Sequence, residues 1–326
     1  METTLAPPVR RSVSAPRLAV SAVVAIAVLA LAIGQWATVR DGVRALADVD
    51  HAWLGAALIV TLATIVASLG ISYGSMRVRP SPGRLVTVQF AVTGVAPLPG
   101  AGFVVYLRFL RREGLSNGEA VGAFVLMALA NGVARAILLA GSILAAPELV
   151  HVAASHGQWI FGLTLRHPAV LAAGCTLAVL LAVAAVLAVR AFVVRRGGWR
   201  ALLAWHADVR AVARNPRRAA MLWLGAFSLP ILYTADLYAM LRGLGITLPP
   251  GHLLAAYMIM TTLAGMIPSP NGIGSIDVAL IAGLTVAGVP ATAALAAVLG
   301  HRLLTFWAQL VPGMAAFAYL VRRRAI

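Results

Sequence analysis

The chain has no lysine, a single cysteine and only ten acidic residues among 326. Each shortage removes a class of protein. Cys175, inside an apolar run, cannot close an internal disulfide, and a lone thiol there reads as a small core residue. Charged residues make up 11% of the chain, against about 25% in a soluble domain. The longest stretch that is not apolar is the basic segment near 195–218, so a soluble catalytic domain has no room. No P-loop, nucleophile elbow, C-x-x-C or H-E-x-x-H occurs, and His151 and His156 lack a third ligand. Neither an enzyme, a metal site nor a cofactor is therefore expected. All 26 basic residues are arginine. A GC-rich genome accounts for that and for the abundance of alanine. The +16 charge remains, but it flanks apolar spans rather than forming one soluble basic face. That argues against nucleic acid as a partner and for anionic headgroups.

What the chain has in excess is apolar residues, 61% with a mean hydropathy of +0.92. Several runs reach the ~20 residues that cross a bilayer. The fold expected is an all-α polytopic membrane protein. The run 18–39, behind Arg10, Arg11 and Arg17, is too long for a signal peptide's apolar core and reads as the first span. Arginine counts between runs set the topology, because short cytoplasmic loops hold the positive excess. They place residues 1–17 inside, a first membrane repeat over 18–146, an outer loop at 147–167, a second repeat over 168–321, and 322–326 inside. The second repeat opens, after a span at 168–189, with a cytoplasmic basic linker, 190–218. Within that linker Leu202, Trp205, Val209 and Val212 have helical spacing and suit a helix lying on the leaflet.

Two segments break this pattern. "APLPGAG" (96–102) interrupts residues 85–107, and "IPSPNGIG" (267–274) interrupts 252–288. A single span through the first would carry Arg108, Arg111 and Arg112 outside, against the charge rule. A re-entrant hairpin keeps both basic ends inside. The arms of the second are likewise too short to cross. The expectation is about six full spans plus two Pro/Gly-broken hairpins that open to opposite sides. Each half runs in the same order, and each hairpin is followed by a glycine-marked turn, "EGLSNGEA" (113–120) or "AGVPATAA" (287–294). This is the pattern of an inverted-topology repeat. Two GxxxG spacings, Gly70/Gly74 and Gly118/Gly122, suggest close helix packing.

Broken helix in hydrocarbon must be buried in protein or face a water-filled cavity. The turns therefore supply candidate binding residues: Pro97, Pro99 and Gly100 in the first, Asn271, Gly272 and Gly274 in the second. The helix resuming near Ser275 would aim its positive end at an anion. Each span after a hairpin carries one arginine, Arg135 or Arg302. Such a residue costs roughly 2.5–3.5 kcal/mol at a span's centre and usually pairs or marks a substrate path. The guanidinium fork suits phosphate, and an ion pair of Arg302 with Asp236 or Asp277 is the competing use. Asp277 also fits a helix first turn, where the dipole favours an acid. Both aspartates are candidates for coupling or ion pairing. Glu119 reads as N-terminal helix chemistry.

The segment "IPSPNGIGSIDVALIAGLTVAGVPATAALAAVLGHRLLTFWAQLVPG" resembles the transmembrane-region family of lysylphosphatidylglycerol synthases, flippase-like membrane proteins. The positions that carry the likeness are Pro268, Pro270, Gly272, Gly274, Asp277, Gly288, Val289 and Arg302 to Trp307. "QFAVTGVAPLPGAGFVVYLRFLRREG" resembles the family's first block. Asn271 stands where members have glycine, and Asp277 where they have glutamate. The resemblance implies re-entrant helices and movement of lipids between leaflets, without the soluble domain that makes the aminoacyl lipid. The function expected is translocation of an anionic lipid or polyprenyl-phosphate-linked intermediate in a bacterial plasma membrane, with both termini cytoplasmic. The alternatives are a secondary transporter of a small solute and a non-transporting accessory of a cell-envelope enzyme.

Overall fold

The computed structural model describes residues 49–98, 100–145, 214–265 and 274–323, with isolated positions near 36–47 and 210–212. The expected spans 18–39 and 168–189, the tail 1–17, the outer loop, most of the basic linker and Pro99, Asn271 and Gly272 lie outside them. Among the described residues all regular structure is helical. In chain order the helices are α1 (His51–Ser75), α2 (Pro82–Gly94), α3 (Ala101–Arg112), α4 (Asn117–Ala145), α5 (Pro216–Gly243), α6 (Pro250–Gly265), α7 (Ser275–Val286) and α8 (Ala291–Arg322). Residues Leu303–Trp307 of α8 form a π turn.

Local chemistry explains where these helices start. The Asp50 carboxylate accepts from Ala52 N at 2.7 Å at the head of α1. Ser116 and Glu119 satisfy each other's backbone N–H groups at the head of α4, at 3.3 and 2.9 Å. Asn215 accepts from Arg218 N at 3.2 Å, and Pro216 occupies the first turn of α5. This cap draws Pro216, Arg217 and Arg218 out of the expected linker and into the helix. Likewise α3 runs five residues past the expected hairpin limit at 107, and Arg111 and Arg112 complement the carbonyl end of its dipole.

Helices α1, α4, α5 and α8 are long and apolar enough to cross a membrane. Their outer faces fit hydrocarbon. Leu58, Leu62 and Val66 form an exposed apolar stripe on α1, and Val125, Leu129, Val133 and Ile137 form one on α4. The other four helices are short: α2 and α3 reach about 20 and 18 Å at 1.5 Å per residue, less than the ~30 Å hydrocarbon core. Arg84 Nη2 stands 2.7 Å from Glu113 Oε1, so the two ends of the α2–α3 hairpin meet.

The element order is long, short, short, long, twice over. Helices α1 and α5 pack antiparallel: Asp50 N donates to Gly243 O at 3.0 Å at one end, and Arg218 Nη2 donates to Met76 O at the other. Helix α2 packs on α8, and α6 packs on α4, the equivalent pair. Each hairpin has its own core. Leu85, Val88, Phe109 and Leu110 join Phe317 and Leu320 at one end of the bundle. Leu253, Leu280 and Leu284 join Val49, Leu241 and Val289 at the other. Where α2 crosses α8, a Cβ on Gly94 would fall 2.2 Å from the Gly313 carbonyl carbon, so the two backbones touch. Of the two GxxxG spacings, the first is a contact: a Cβ on Gly74 would lie 2.6 Å from Leu222 N. The expectation of close packing fails at Gly118, which has open space around it on the exposed start of α4.

Candidate functional site

A cavity of about 700 Å³ lies between the two cores. Helix α1 lends it Thr64 and Ser68, α2 Gln89 and Thr93, α5 Tyr233, and α6 Tyr257, Thr261 and Thr262. Arg135 enters from α4, and His301, Arg302, Thr305 and Gln309 enter from α8. The lining is rich in hydroxyl and amide groups inside a bundle with apolar outer faces. Ser and Thr there return their own donors to the preceding turn, as Thr305 does to His301 O at 2.7 Å. Their oxygens can still accept.

The two arginines are held differently. Arg302 Nε donates to Asp277 Oδ1 at 2.7 Å, with the side chains 13% and 16% exposed. The other carboxylate oxygen accepts from Gly274 N at 3.1 Å, so Asp277 caps α7 and holds Arg302 at once. The Arg302 guanidinium also sits over the Phe306 ring, 5.4 Å from its centroid, within the π turn. Arg135 Nη2 donates to the Thr261 hydroxyl, which passes its own proton to Tyr257 O at 2.6 Å. Among the described residues no carboxylate pairs with Arg135.

Asp236 has a different partner from the one the sequence offered it. It is fully buried, and its Oδ2 lies 2.6 Å from Nδ1 of His301. Thr61 donates to its Oδ1 at 2.9 Å. Of the two candidate carboxylates for Arg302, geometry selects Asp277 and gives Asp236 to His301. The rings of Tyr233 and Tyr257 stand edge-on to the imidazole at 6.3 and 6.2 Å.

Positive-φ glycines give the register between the halves. Gly100 and Gly274 precede α3 and α7, and Gly114 and Gly288 follow them, with the same spacing in each half. Counted from these markers, Arg135 and Arg302 are not equivalent. Arg302 corresponds to Ala128, Asp277 to Phe103, and Arg135 to Gln309 within the one residue that the π turn adds. The seven-residue offset is two helical turns, about 10 Å along one face, so both side chains still reach the same cavity. The ion pair belongs to the second half alone.

The remaining sequence candidates sit at the margins. Pro97 is buried in the first turn, and Gly100 and Gly274 are exposed caps; none lines the cavity. Sequence reasoning missed His301, Tyr233, Tyr257 and Gln89. The available signal was polarity within apolar runs, which a single histidine or tyrosine carries weakly.

A family model described as the lysylphosphatidylglycerol synthase TM region matches residues 18–313. No curated protein matches the chain. The chain belongs to the lysylphosphatidylglycerol synthase transmembrane-region family, a lipid-related family of membrane proteins.

Proposed function

We propose that this member of the family translocates an anionic lipid or a polyprenyl-phosphate-linked intermediate between leaflets, as a carrier rather than an enzyme. The observation that carries the reading is the meeting of Arg135 and Arg302, one from each four-helix set, on a single polar cavity. A guanidinium inside a span costs roughly 2.5–3.5 kcal/mol, which a bound phosphate offsets through charge-assisted hydrogen bonds. In this reading Arg135, whose partner is a neutral hydroxyl, is the standing phosphate contact. Arg302 joins it when its hold on Asp277 loosens.

The two sets are read as an inverted-topology repeat with two re-entrant hairpins. Support comes from the antiparallel α1–α5 pair, from hairpin cores at opposite ends and from matching helix contacts. Such hairpins meet near the midplane and mark a binding site there. The end carrying Arg77, Arg79, Arg84, Arg108, Arg111 and Arg112 is cytoplasmic by its charge, in a bacterial plasma membrane.

The test is transfer of labelled phosphatidylglycerol between leaflets of liposomes that contain the purified chain. Arg302→Ala is expected to abolish transfer while circular dichroism reports an intact helical fold. Unchanged transfer in a folded R302A protein removes the role assigned to Arg302. Accumulation of the acyl-free headgroup, glycerophosphoglycerol, in place of lipid transfer would identify a small-solute transporter instead.

A further inference from the structure

The charged and titratable groups around the cavity come from five helices among those described. Helix α4 brings Arg135, α5 brings Asp236 and Tyr233, and α6 brings Tyr257. Helix α8 brings His301 and Arg302, and Asp277 of α7 reaches Arg302. Helices α1 and α2 add hydroxyl and amide groups only, Thr61, Thr64, Ser68, Gln89 and Thr93. His301 is 3% exposed, and that sliver faces the cavity.

The pairing of His301 determines which of its nitrogens can act. Asp236 Oδ2 lies against Nδ1, and the other oxygen is held by Thr61. A carboxylate acceptor keeps the ring N–H at Nδ1 and leaves the lone pair at Nε2. With the imidazole neutral, the two guanidiniums and two carboxylates among the described residues sum to zero. A phosphodiester headgroup would then bring one uncompensated negative charge into an apolar enclosure, which is costly. One proton on Nε2 restores neutrality. A phosphate monoanion in the cavity and a proton on Nε2 carry opposite charges and attract each other. Proton and anion therefore strengthen each other's binding, as linkage requires.

We propose that Nε2 of His301, oriented by Asp236 and Thr61, takes up one proton with each phosphate monoanion, so that the chain moves an anionic headgroup and a proton together. The inference rests on the reading of the cavity as a phosphate site. The proton enters from the aqueous side to which the cavity is open, converting imidazole to imidazolium. It leaves with the anion on the other side, the Nδ1 proton stays on the ring and is donated to Asp236 throughout, and no net charge crosses.

The experiment is calorimetric titration of the detergent-solubilised full chain with dihexanoyl phosphatidylglycerol, in buffers of different ionisation enthalpy and at several pH values. The lipid's phosphodiester does not titrate near neutrality, so any proton counted is bound by the protein. The expected result is uptake of up to about one proton per lipid, with affinity falling as pH rises by at most about tenfold per unit. His301→Gln, which keeps a donor for Asp236 and cannot take the proton, is expected to abolish both uptake and pH dependence. Binding without proton uptake and with pH-independent affinity overturns the coupling and leaves the phosphate site standing. Absence of lipid binding at every pH overturns both readings. Wild-type uptake in a folded H301Q protein moves the proton elsewhere and overturns the assignment. The wild-type count decides the matter even where H301Q fails to fold.

Discussion

Asp277 serves two helices with one carboxylate, capping α7 through Gly274 N and holding Arg302 of α8 through Nε. Removing either partner strands the other in a mostly buried site, which costs more than the pair itself contributes. Asp277→Asn and Arg302→Gln are each expected to lower the unfolding midpoint of the detergent-solubilised protein. The double variant should lose less than the sum, with a coupling of roughly 1–3 kcal/mol. Strictly additive losses would show that the ion pair is not coupled. At this scale the sequence exposes charge and hides partnership. Arg135, Arg302, Asp236 and Asp277 stand out because charge is scarce in apolar runs. Which carboxylate meets which cation depends on helices brought together from 25 and 65 positions away.

Helix bounds are set by caps and breakers that can be read directly: Asp50, Ser116 with Glu119, and Asn215 with Pro216. Contacts between helices are another matter, and glycine illustrates it. Gly94 and Gly313 touch through their backbones, and Gly74 lies under Leu222, whereas Gly118 meets nothing within 4 Å. Gly94→Ala, Gly313→Ala and Gly74→Ala are therefore expected to destabilise the protein by about 1–3 kcal/mol through overpacking. Gly118→Ala should be neutral or stabilising by up to about 1 kcal/mol, the helix propensity it gains. Thermal unfolding in detergent checks all four; a G94A protein as stable as the parent would contradict the backbone crossing. The π turn at Leu303–Trp307 is likewise invisible in the sequence. It places Thr305 and Phe306 at the cavity beside Arg302, in the manner of π turns at functional sites generally.

Across the whole molecule, the antiparallel α1–α5 pair puts the turn before α6 and the turn before α4 at opposite ends of the bundle. In a protein with Cys175 replaced, Thr247→Cys should react with an impermeant maleimide from outside the cell. Ser116→Cys should react only after permeabilisation. Both sites are exposed at turns, and labelling of both from one side would contradict the inverted arrangement proposed above.

Composition alone determined that this is a helical membrane protein, since an 11% charge content cannot clothe a soluble surface of this size. The doubled order of long and broken segments was also legible, because proline and glycine act on the backbone locally. Only the tertiary structure decided that the two arginines are offset by two turns and still share one cavity. It also decided that Asp236 belongs to His301 and that the ion pair lies in one half alone. Those facts follow from how helices cross and in what register, and crossing is set by side-chain shape over the whole contact rather than by any short stretch of chain.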